Sequence, residues 1–102
     1  SLSVKERKNL SLNGYLEITL IITNTGKVKK PVISFKGVPK NEQSDGIIFD
    51  LEDMILSTCK TFSINNKNQE KNLTETIKQN SRKIFREKTG KKPYTNINLV
   101  RI

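Results

Sequence analysis

At 102 residues, with a formal charge of +9 and one cysteine, the chain has the size of a single domain, able to bury roughly 65% of its unfolded surface. The lone Cys59 excludes an internal disulfide, and neither a membrane-spanning apolar run nor a signal-peptide pattern is present. A soluble, cytoplasmic protein with no membrane partner is therefore expected.

Residues 1–13 have few apolar anchors, Val4 and Leu10, among charged neighbours, and read as the end of a linker; residues 14–102 read as the domain proper. Asn13-Gly14 is a turn signal. Tyr15 to Thr23 alternates as a strand should, with Leu16, Ile18, Leu20 and Ile22 on one face and Tyr15, Glu17, Thr19 and Ile21 on the other. Asn24-Thr25-Gly26-Lys27 has the composition of a hairpin turn. Pro31, lacking an amide, opens or edges the next strand. Val32 to Val38 follows, with Ile33 and Phe35 on the core side, Gly37 in the same register, and Pro39 ending it. Lys40 to Gly46 reads as a polar loop.

A helix is expected next. Asp50 is a cap candidate and Asp53 sits at the third helical position, where both carboxylates suit the positive end. Leu51, Met54, Ile55, Thr58 and Phe62 then recur at helical spacing, Ile48 is placed as a staple, and Cys59 borders the stripe as a small buried hydrophobe. Ile64 to Lys71 is polar and reads as a connection. Asn72, with Glu75 three positions on, has the capping-box pattern for a second helix. Leu73, Ile77, Ile84 and Phe85 share one side of it, interrupted by Asn80 and Ser81. Gly90 is placed to end that helix in a left-handed conformation, and Lys88, Lys91 and Lys92 suit its negative end. Pro93 forbids continuation, and Tyr94 to Val100 alternates as a closing strand, with Thr95, Ile97 and Leu99 inward.

The order strand, strand, helix, helix, strand implies an α+β fold, ββααβ. A three-stranded mixed sheet with two helices packed on one face buries every apolar stripe. The last strand then runs parallel to the first and antiparallel to the second, and either could be its neighbour.

The chain has no histidine, which removes histidine-based metal sites, triads and the commonest general base. One cysteine excludes thiolate zinc sites, and five dispersed glycines make no phosphate loop. Asp50, Glu52 and Asp53 cluster, yet at an expected helix start they serve capping better than a cation. No catalytic, cofactor or metal residue is assigned.

Ile84-Phe85-Arg86-Glu87-Lys88-Thr89 followed by Gly90-Lys91-Lys92-Pro93 resembles the C-terminal domain of ribonuclease J, where a basic helix end and a Lys/Arg-Pro step lead into a terminal strand. Glu6-Arg7-Lys8-Asn9-Leu10 with Gly14, and Gly37-Val38-Pro39 before an acidic loop, extend the resemblance over nearly the whole chain, closest to the α-proteobacterial type. Asn96 and Asn98 depart from it, standing where that family often has apolar residues. The resemblance implies a parent metallo-β-lactamase ribonuclease with a β-CASP insert and two catalytic metal ions, expected to be zinc. It would act on RNA as an endonuclease and 5′-exonuclease in processing and decay. This stretch would be a non-catalytic accessory domain, partnered by the catalytic and β-CASP domains of the same polypeptide and supporting a homo-oligomer.

Two surfaces are candidates for that role. Tyr15, Ile21, Val100 and Ile102 would point away from the helices and offer an oligomer interface; the plainer account is that residues 1–13 fold over them. Lys78, Arg82 and Arg86 recur every four residues on the outer side of the last helix, and Lys91 and Lys92 continue the trail. With no exposed aromatic clearly placed to stack on bases, RNA contact there would be directed at phosphates; the plainer account is a solvated helix face. Lysine-rich composition competes as the source of the charge. The alternative reading of the whole chain is a free-standing small basic RNA-binding or ribosome-associated protein.

Overall fold

The structure, a computed structural model, describes residues 14–36, 42–62 and 67–102, the first four of α1 as backbone only. The linker assignment for residues 1–13 and the placements of Gly37, Val38 and Pro39 lie outside the described residues. Strands β1 (Tyr15–Ile22) and β2 (Val32–Lys36), helices α1 (Glu42–Cys59) and α2 (Lys67–Thr89), and strand β3 (Tyr94–Arg101) follow in that order. The fold is α+β, a three-stranded mixed sheet with two helices.

The sheet order is β2-β1-β3, which settles the neighbour that pattern alone left open. β1 is central, antiparallel to β2 and parallel to β3, with Tyr15 opposite Tyr94 and Ile22 opposite Arg101. The central place goes to the most apolar strand: Leu16, Ile18, Leu20 and Ile22 are all fully buried. Gly26 takes φ 82° in the hairpin turn, where its amide donates to the Thr23 carbonyl at 2.9 Å. Pro31 is buried at the mouth of β2.

Both helices bury rows spaced by four: Ile47, Leu51, Ile55 and Cys59 on α1, and Leu73, Ile77, Ser81 and Phe85 on α2. These rows join β1 in one core, with Ile33, Phe35, Met54, Phe62, Ile84 and Ile97 packed around it. Phe85 meets Phe35 edge-on, centroids 5.1 Å apart at 66°, the favoured arrangement of two ring quadrupoles.

Two expected helix starts are corrected. α1 begins at Glu42, so Lys40 to Gly46 is not a loop throughout, and Asp50 and Asp53 stand inside the helix rather than at its cap. Gly46 keeps a negative φ and does not break the helix; its cost of about 1 kcal/mol is outweighed by the extra turn that buries Ile47. Ile47, not Ile48, is the fully buried residue. Asp50 instead pairs with Lys88 at 3.2 Å, tying α1 to α2, and Glu52 lies 3.9 Å from Lys30. Likewise α2 begins at Lys67, leaving Asn72 exposed within it. The added turn carries Lys67, Gln69, Glu70 and Lys71, good helix formers that need no buried face, and its Glu70 accepts a 2.8 Å bond from Arg101 at the end of β3.

Candidate nucleic-acid interface

α2 stops where the sequence puts its stop. Gly90 takes φ 74° and donates its amide to the Arg86 carbonyl at 2.9 Å, the single bond of a left-handed helix cap. The Thr89 hydroxyl donates to the Phe85 carbonyl at 2.7 Å and accepts the Lys91 amide at 3.1 Å. The chain therefore turns back sharply, and buried Pro93 anchors the entry to β3.

That reversal brings Lys92 beside the outer face of α2. Arg82, Lys83, Arg86 and Lys92, with Gln79, line an open groove of about 400 Å³. Four cations converge on it. Arg82 and Arg86 lie one turn apart, about 6 Å along the axis, with guanidinium forks suited to phosphate oxygens. Of the five residues singled out from sequence, the groove gathers Arg82, Arg86 and Lys92. Lys78 continues the row one turn earlier and Lys91 lies in the turn, both half-exposed and outside the lining. Lys83 and Gln79 were missed because they form the neighbouring four-residue row; tracing both rows would have found them.

The outer sheet face is less uniform than its alternation promises. At one end the Tyr15 and Tyr94 rings stack 5.6 Å apart. Burial first, and then the Glu17 carboxylate, push the Tyr15 phenol above its ordinary value. The centre is polar: the Asn98 amide donates to Glu17 Oε1 at 2.6 Å, and Asn96 donates to Asn98 Oδ1 at 3.1 Å. The departures at Asn96 and Asn98 thus form a hydrogen-bonded layer across β1 and β3. At the other end Ile21 lies opposite Val100, with Ile102 beyond; Val100 is 43% and Ile102 61% exposed. The four candidate interface residues are therefore split into two apolar ends around a polar middle.

Among the described residues no cluster of three His, Cys, Asp or Glu side chains could hold a metal ion. No helix among them is long and apolar enough to cross a membrane. A family model described as the ribonuclease J C-terminal domain matches residues 2–102. No curated protein matches the chain.

Proposed function

This chain belongs to the ribonuclease J C-terminal domain family, and on that premise we propose that it serves its nuclease as a non-catalytic accessory domain that grips RNA by its phosphates. The observation that carries the reading is the convergence of Arg82, Lys83, Arg86 and Lys92 on one groove. A solvated helix face spreads its charges; a groove of one sign focuses the field and concentrates a polyanion. Cleavage, its zinc ions and the 5′-exonuclease and endonuclease steps belong to the catalytic and β-CASP domains of the same polypeptide, in the bacterial cytoplasm. Family membership takes the place of the alternative, a free-standing RNA-binding or ribosome-associated protein.

Four phosphate contacts on single-stranded RNA give a log–log salt slope of about −3, from roughly −0.7 per contact. Replacing Arg82→Glu with Arg86→Glu should halve that slope and weaken binding, equally for every sequence. Fluorescence anisotropy with two unrelated RNAs across a salt series reads both. Affinity that ignores salt and survives the double substitution would dispose of the reading.

A second reading rests on a separate observation, the exposed Val100 and Ile102 beside Ile21. That apolar end, with stacked Tyr15 at the other, supports assembly of the parent enzyme into a homo-oligomer through the sheet.

A further inference from the structure

The hairpin turn and the end of α1 enclose a second groove, of about 420 Å³, that shares no residue with the cationic one. Val28, Leu56 and Cys59 supply its apolar surface, and Lys27 and Lys60 stand at it as cations. Neither lysine makes an ion pair among the described residues, whereas nearby Lys30 already lies against Glu52. Leu56 is 38% exposed on the outer side of α1. Seven residues earlier, two turns along the same face, Phe49 is 70% exposed. Phe49 and Leu56 thus mark out a track of two exposed apolar side chains, with Asp53 between them, that runs up the helix from a pocket whose two lysines make no ion pair among the described residues.

We propose that this groove docks a short acidic segment of another protein, with one bulky apolar side chain against Val28, Leu56 and Cys59 and its carboxylates on Lys27 and Lys60. Charge complementarity selects the occupant. A basic peptide would be repelled at the lysines, and a wholly apolar one would leave both unanswered. The volume lies within the ~300–1,000 Å³ of ordinary ligand sites and suits one side chain with its flanking backbone. Asp53, exposed between Phe49 and Leu56, sets polarity: the carboxylates belong at the pocket end of the track. The same residue argues against a second copy of this chain. Two-fold pairing of α1 that sets Phe49 over the partner's Leu56 would carry Asp53 toward its own equivalent, like charge against like.

The test uses a fluorescein-labelled Glu-Asp-Leu-Phe-Glu-Asp peptide and two controls, one with every acid replaced by lysine and one with Leu-Phe replaced by Ser-Ser. Anisotropy should give affinity about tenfold higher for the acidic apolar peptide than for either control, and Lys27→Glu with Lys60→Glu should remove about tenfold of it. Leu56→Ser should weaken binding while leaving the circular dichroism spectrum unchanged. Equal binding of the Ser-Ser control would reduce the effect to the chain's net charge and overturn the proposal. So would absent binding, or binding that persists in both variants. Sedimentation in which the lysine variant dissociates a dimer that binds no peptide would hand the groove to a second copy.

Discussion

Ser81 occupies the third place in the buried row of α2, between Ile77 and Phe85, and is fully buried. Its hydroxyl oxygen finds no hydrogen-bond partner among the described residues. A buried hydroxyl without a partner costs about 1–3 kcal/mol, and serine is roughly 0.5 kcal/mol poorer than alanine inside a helix. Ser81→Ala removes both costs and gives up one oxygen's packing, so a net stabilisation of about 1.5 kcal/mol is expected. At roughly 4–8 °C per kcal/mol for a domain of this size, the melting temperature should rise by about 6–12 °C. Thermal denaturation followed by circular dichroism measures it. Any RNA affinity at room temperature should not move, because Arg82 and Arg86 keep their places on the same helix. A Ser81→Ala protein that melts below the parent would refute the reasoning, since the hydroxyl would then be satisfied and supporting the core.

Two glycines should respond with opposite signs. A Cβ at either Gly46 or Gly90 meets nothing within 4 Å, but only Gly90 has positive φ. Gly46→Ala should therefore stabilise by about 0.5–1 kcal/mol and Gly90→Ala destabilise by about 1 kcal/mol in urea titrations; shifts of the same sign would contradict the assigned path of α1. Tyr15→Lys with Val100→Lys should dissociate any oligomer formed through the sheet, as read by analytical ultracentrifugation, and an unchanged sedimentation coefficient would exclude that face. Burial pushes the Cys59 thiol above its ordinary value of 9.0, so the unfolded chain ionises first. Stability should hold below that pH and fall as pH rises past it, and alkylation near pH 8 should be slower for the folded chain than for the urea-unfolded one. Equal rates would contradict the placement of Cys59.

The strands could be read because period-two alternation is hard to mimic: β1 buries every second residue from Leu16 to Ile22. The stop of α2 was equally legible, since Gly90 and Pro93 act through local sterics. The helix starts were not. Gly46 within a polar stretch has the look of a loop, and only tertiary burial of Ile47 carries the helix through it. Asn72 and Glu75 have the composition of a capping box, yet favourable residues from Lys67 onward extend the helix past them. Strand order was also hidden, because either neighbour of β3 buries the same side chains. At the groove, the row through Arg82 and Arg86 was visible from spacing. The convergence of Lys92 with Lys83 depends on the turn after Gly90, which no periodicity reports. Phe49 went unnoticed because exposure of a phenylalanine is a property of the packed helix, not of the pattern.

The parallel pairing of β1 with β3 has a mechanical consequence. Chain enters β1 at Tyr15 and leaves β3 at Arg101, opposite ends of one ladder whose registers match from Tyr15–Tyr94 to Ile22–Arg101. Tension applied between those two points would load the evenly spaced parallel bonds in shear, all together, instead of peeling them one at a time. The strands would yield only by collective rupture, with Ile18 and Ile97 dragged past each other inside the core. Such a domain resists traction along the chain far better than its small core suggests. Pulling on the chain through this domain should strain its surroundings before it unravels the sheet.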